Sequence, residues 1–375
     1  MPEKSGTNPN LRWDKNYQMN FGIDLSALDS RLSVTLDGYY NLSREMFVTP
    51  SAWNLPGTVG IYAAPENWGE MDSYGVELQV KWRQRINKDL SFNVGMGTGY
   101  DDNKLLKAAF PVDPKFGDQV KGERSDRGTW GLSCIGMFRS YQQIEEYFNK
   151  YNVTDYLGLT KSQVHPGMLM YEDIRGPKDA NGNYTAPDGV INREDDVVEI
   201  SHRANNPYNA NLNLNVTYKS FTLNATCQAE WGAYTTVPSG LRGESFDDME
   251  TQNVSAMWKD MFIYNDVVDA QGNVLAAANR NGSMPNLRYK ENSQVSTFWR
   301  MSAAKVMLRN ISLAYTVPKK WINRLGISSL RLNLTCQNAF SFYNPIPNGV
   351  WDNFAGSYGN YPVTRKITMG VKVSF

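Results

Sequence analysis

Stretches of about ten residues in which apolar and polar side chains alternate recur along this 375-residue chain, and that period of two admits only extended strands. Leu32, Val34, Leu36 and Tyr40 share one face of such a stretch, against Arg31, Ser33, Thr35 and Asp37. Tyr74, Val76, Leu78, Val80 and Trp82 form a second row, and Leu212, Leu214, Val216 and Tyr218 oppose Asn211, Asn213, Asn215 and Thr217. Phe221 through Trp231, Leu330 through Gln337 and Lys366 through Phe375 repeat the pattern.

Both a soluble β-sandwich and a membrane β-barrel alternate in this way. Three features favour the barrel. The apolar rows end in aromatics (Tyr40, Tyr74, Trp82, Tyr218, Trp231, Tyr315, Phe375), as interfacial girdles do. The opposite rows carry long polar side chains in strand after strand, which suits a water-filled interior. Connections also alternate between short and long. Short turns fall at 29–30, 87–89, 219–220 and near 318–328, and long excursions at 43–72, 102–206, 232–301 and 341–362. The expected strands are therefore 17–28, 31–42, 73–84, 89–101, 207–218, 220–231, 303–317, 329–340 and 363–375. Nine strands is short of an even-numbered barrel, so the chain reads as part of one.

Composition agrees. Lys+Arg and Asp+Glu balance at 38 each, which gives no basic excess for binding nucleic acid. Mean hydropathy is −0.50, and no apolar run reaches the roughly 18 residues of a transmembrane helix. Three widely spaced cysteines, Cys134, Cys227 and Cys336, form no metal or redox motif and read as small buried or lipid-facing side chains. The start, Met-Pro-Glu-Lys-Ser-Gly, has no apolar signal segment. Segment 128–139 looks like a tenth strand lying outside the membrane, with helices expected at 142–149 and 247–262.

The order of motifs resembles SusC-type TonB-dependent outer-membrane transporters. The matching segments are Asn8-Pro9-Asn10-Leu11-Arg12-Trp13-Asp14-Lys15, Gly69 to Leu78, Asp188-Gly189-Val190-Ile191-Asn192 with Asp195-Asp196, Pro207-Tyr208 with Tyr218-Lys219-Ser220-Phe221, Leu308 to Pro318, and Tyr361 to Arg365 before Phe375. The resemblance covers nearly the whole chain. It implies that residues 1–375 are the C-terminal part of a 22-stranded barrel, without its plug domain or first half. It further implies import of oligosaccharides or peptides, energy from TonB through the plug, a SusD-type surface lipoprotein as partner, and a terminal Phe375 that serves insertion. A soluble all-β cell-surface binding module is the alternative.

Two groups of residues are candidates for binding. Trp53, Trp68, Trp351 and Tyr358 lie in excursions that the topology places outside, together with Tyr62, Tyr234, Phe354 and Tyr361, and aromatic faces take sugar rings and apolar side chains. Asp173, Asp188 and Asp195 sit in an acidic, turn-rich stretch similar to a calcium loop, although Arg175 and an insert at 177–187 break the ligand spacing. Packing among the loops and a solvated acidic loop are the structural alternatives. No nucleophile elbow, zinc helix or phosphate loop occurs, and His165 and His202 read as surface residues. The pairs Asp101-Asp102, Glu145-Glu146 and Asp247-Asp248 are adjacent in sequence, which does not place two carboxylates across a cleft as a glycosidase needs.

Overall fold

The computed structural model describes residues 4–5, 7–49, 61–62, 64–243, 256–346, 361 and 363–375. Among them, nine antiparallel strands form one sheet in strict chain order: β1 (Lys15–Ala27), β2 (Leu32–Val48), β3 (Glu66–Arg85), β4 (Leu90–Lys107), β5 (Tyr208–Tyr218), β6 (Phe221–Trp231), β7 (Lys305–Thr316), β8 (Ser329–Tyr343) and β9 (Lys366–Ser374). All nine match the strands expected from the alternation. The sheet is a wall whose two edge strands do not pair with each other.

The register keeps one face apolar from edge to edge. Ile23 opposes Leu36, and Leu36 opposes Leu78. Leu214 opposes Val94 on one side and Ala225 on the other. Leu313 opposes Leu334, which opposes Met369. A slip of one residue at any pairing would turn that strand's apolar row to the other side. Phe21 is 72% exposed and Met369 is 83% exposed, so no described residue covers this face at its edge strands. A protein dissolved in water rarely presents so large an apolar patch, whereas a lipid-facing barrel wall must present one.

Aromatic rows close that face at both ends. Tyr40 stacks on Tyr74 at 5.9 Å, and Tyr208 lies 5.1 Å from Tyr100 and 5.9 Å from Trp231. At the other end Phe221 meets Tyr315 at 4.7 Å, beside Tyr218. Tyr208 and Tyr218 stand at the two ends of β5. Their ten residue steps span about 33 Å along the strand, or about 23 Å of height at the usual tilt of roughly 45°. That matches the ~25 Å apolar band of outer-membrane barrels.

β2, β3 and β4 run past the upper aromatic row, beyond their expected ends at 42, 73 and 101. Charged and apolar residues follow one another there without a period of two, so alternation vanishes while backbone pairing continues. Arg44 pairs with Asp72 at 2.7 Å, Tyr40 donates to Asp72 at 2.6 Å, and Lys107 pairs with Glu70. Positive-φ Glu45 sits at the register shift between Ser43 and Met46.

The excursion 108–204 and the described parts of the excursion 232–304 (232–243 and 256–304) fold together into a lobe at the long-loop end. Its core contains Phe138, Tyr147, Tyr156, Met168, Tyr171 and Ile191 from the first excursion, and Trp258, Phe262 and Trp299 from the second. Helix α1 (Tyr141–Tyr151) buries Ile144, Tyr147 and Phe148. It starts on Ser140, whose hydroxyl accepts from Gln143 N–H, and ends on left-handed Asn152. This is the helix expected at 142–149. The expected tenth strand is instead two short ones, Arg127–Leu132 and Cys134–Met137. They pair with Val197–Arg203 and Leu169–Tyr171 inside the lobe. Where a helix was expected over 247–262, residues 256–260 form a 3-10 turn, and 247–255 lie outside the described residues. Cys134, Cys227 and Cys336 are free thiols.

Candidate functional site

The buried aromatics of the lobe have their polar ends hydrogen-bonded to backbone carbonyls. Trp299 Nε1 donates to Asn292 O at 2.8 Å, and Trp258 Nε1 to Leu241 O at 3.0 Å. Tyr171 donates to Glu291 O at 2.9 Å, Tyr156 to Leu169 O and Tyr147 to Tyr171 O. Burial pushes all three phenols well above their ordinary pKa. The lobe is tied to the wall through Arg203, which donates to Tyr100 Oη and Asp102 at 3.1 Å each. Arg124 adds pairs to Asp102 and to Asp126.

On this frame the acidic stretch is a braced loop. Asp196 is fully buried. Its Oδ1 accepts from Ile174 N–H at 2.7 Å and Arg175 N–H at 3.2 Å, and its Oδ2 from Asn192 N–H at 2.9 Å. Asp173 Oδ2 accepts from Gly189 N–H at 2.6 Å, and Asp188 Oδ1 from Val190 N–H at 3.0 Å. Asp195 Oδ2 takes Asn192 Nδ2 at 3.1 Å. The three residues singled out as calcium ligands thus face three different partners, and the buried member of the stretch is Asp196, the neighbour of Asp195. Asp173 Oδ1 is buried without a hydrogen-bond partner among the described residues. Among the described residues, however, no three Asp, Glu, His or Cys side chains gather as metal ligands. As arranged, this donor set falls well short of the six to eight oxygens that calcium takes.

Two mutational outcomes follow. Asp196→Ala strips the acceptor from three backbone N–H groups and should cost the lobe about 3 kcal/mol. Asp173 has its pKa raised, first by burial and then by the charge of Asp188. A raised folded-state pKa gives stability that is full below the ordinary carboxyl value of about 3.9 and is lost as pH rises through the folded value. Asp173→Asn should therefore gain on the parent as pH rises above ~4. Urea unfolding followed by tryptophan fluorescence checks both, and an Asp173→Asn difference independent of pH would contradict the second.

The expected aromatic platform divides. Trp53, Trp351, Tyr358 and Phe354 lie outside the described residues. Trp68 is exposed, but on strand β3 rather than in a loop. Tyr234 is capped by Arg300, whose guanidinium lies 3.7 Å from the ring centroid, and Tyr361 is exposed. No ring contact joins Trp68, Tyr234 and Tyr361 among the described residues. His202 bonds Glu199 at 2.7 Å on the surface, while His165 stacks on Tyr289 at 5.5 Å.

The lobe instead offers a cavity of about 730 Å³ that no pattern in the sequence announces. Asp155, Asn192, Arg193, Lys290, Glu291 and Gln294 supply its polar lining, with Leu157 and Ile191 as apolar wall. The parallel pairing of Asp155–Tyr156 with Val190–Ile191 brings the first side together, and the turn Lys290–Ser293 supplies the other.

No family model matches the chain. Over 98% of its length it is 25% identical to TonB-dependent receptor P3 of Formosa agariphila, of which it spans 35%. It is 24% identical over 122 residues to the TonB-dependent receptor SusC of Bacteroides thetaiotaomicron, covering 32% of this chain and 12% of SusC. The solved RagAB peptide transporter matches 99% of the chain with a TM-score of 0.67 at 20% identity, through 36% of its own chain. The resemblance read from the motif order is thereby borne out, and the nine-stranded wall is a portion of an outer-membrane barrel fold. The chain spans only about a third of the relatives it matches along most of its length.

Proposed function

We propose that this chain supplies barrel wall and outer loops to a TonB-dependent nutrient importer of SusC type in the outer membrane. The solute is an oligosaccharide or a peptide, and a SusD-type surface lipoprotein is the partner. The observation that carries this reading is the apolar face held in register across nine strands between two aromatic rows, with a polar face behind it. In this reading the short turns lie on the periplasmic side and the lobe lies outside the cell, where a solute arrives first. Coupling to TonB belongs to a plug that is not among these strands. The soluble binding-module alternative would have to leave Phe21, Ile23, Ile367, Met369 and Val371 in water. An enzymatic role finds no support in the relatives, which carry the names of receptors and transporters.

The reading is tested in cells by deleting the gene of the full-length protein and measuring uptake of labelled oligosaccharide and peptide mixtures. Loss of uptake of one class, reproduced by disrupting TonB, is the expected result. Unchanged uptake of both classes would overturn it.

A further inference from the structure

The lobe cavity carries two charges of each sign. Arg193 and Lys290 are exposed at its lining, and neither makes a hydrogen bond or ion pair through its side chain with a described residue. Glu291 is only 8% exposed, and its carboxylate likewise has no partner among the described residues. Asp155 uses one carboxylate oxygen to accept from Gly158 N–H at 2.6 Å, which leaves the other. A carboxylate on a largely buried residue, lining a cavity and lacking an ionic partner among the described residues, favours a cation in that cavity. Two unpaired cations on the same cavity call for an anion. Asn192 and Gln294 add amides, and Leu157 and Ile191 add apolar wall.

We propose that this cavity binds a short peptide as a zwitterion, with the peptide ammonium at Glu291 and its carboxylate at Arg193 and Lys290. The volume lies within the roughly 300–1,000 Å³ of small-molecule sites. A neutral oligosaccharide would strip water from four charged groups and return only hydroxyls, whereas a zwitterion replaces that hydration with opposite charge. The proposal rests on the importer reading and narrows it, since of the two solute classes it selects the peptide.

Calorimetry on the full-length protein in detergent tests the site, with trialanine, N-acetyl-trialanine, trialanine amide and maltotriose as probes. Trialanine should bind at least tenfold more tightly than either blocked peptide, and maltotriose should give no heat. Glu291→Gln should weaken trialanine at least tenfold and leave N-acetyl-trialanine unchanged. Arg193→Gln with Lys290→Gln, both on exposed side chains that folding does not need, should weaken trialanine and N-acetyl-trialanine alike but not trialanine amide. Equal binding of trialanine and its blocked forms, binding of maltotriose in their place, or indifference to the Arg193/Lys290 pair would overturn the site. Uptake separates the two readings. Trialanine heat without TonB-dependent uptake of any solute leaves the site and removes the importer, while TonB-dependent uptake without trialanine heat does the reverse.

Discussion

Arginine at Leu214 or Leu334 should destabilise the full-length barrel in a bilayer by about 2–4 kcal/mol, while arginine at Asn213 should cost much less. Leu214 lies between the aromatic rows, six residues from Tyr208 and four from Tyr218, so its side chain meets the hydrocarbon interior. Its cross-strand neighbours, Val94 and Ala225, offer no polar group to a buried guanidinium. Leu334, between Leu313 and Met369, is placed in the same way. Asn213 is one residue away on the other face. There it faces Gly95 and Thr226, and Thr226 donates to its Oδ1 at 3.0 Å. Arginine at that position points into water. Urea titration of refolding into lipid vesicles measures the difference, and equal costs at 213 and 214 would overturn the assignment of lipid and lumen faces.

How much of this the sequence disclosed depends on whether neighbours in space are neighbours along a strand. The nine wall strands were legible because each writes its two environments into alternate residues. Their upper ends were not, because beyond Tyr40, Tyr74 and Tyr100 charged and apolar residues no longer alternate. There the pairing rests on ion pairs such as Arg44 with Asp72, which leave no periodic trace. In the acidic stretch, charge located the loop but could not say which of two adjacent aspartates turns inward. The fold buries Asp196 under three backbone N–H groups and leaves Asp195 at the surface side of the turn. The cavity was out of reach for a plainer reason. Asp155, Arg193 and Glu291 are far apart in the chain and belong to no motif, and they meet only because two long excursions share one core.

That shared core makes the lobe sensitive at one glycine. Gly128→Ala should cost about 3 kcal/mol or more, at or above the top of the usual range for overpacking. Strand Arg127–Leu132 pairs with Val197–Arg203 across a register shift between Glu199 and Ser201, and the shift carries the Ser201 backbone directly over Gly128. A Cβ there would lie 1.4 Å from Ser201 O, 2.3 Å from its carbonyl carbon and 2.8 Å from Arg203 N. These are backbone atoms of a paired strand, so no side chain can swing aside to make room. The displacement would also reach Arg203, two residues on, whose guanidinium ties the lobe to Tyr100 and Asp102 of the wall. The lobe should therefore loosen from the barrel as well as lose stability. Gly370→Ala on β9 is the control, because a Cβ at that position has nothing within 4 Å. Its cost should stay under the roughly 0.5 kcal/mol typical of surface substitutions. Limited proteolysis of the full-length protein in detergent reads both effects. Cleavage within 108–204 should rise sharply for Gly128→Ala and match the parent for Gly370→Ala. Parent-like resistance of Gly128→Ala would mean that strands 127–132 and 197–203 do not pair in this register.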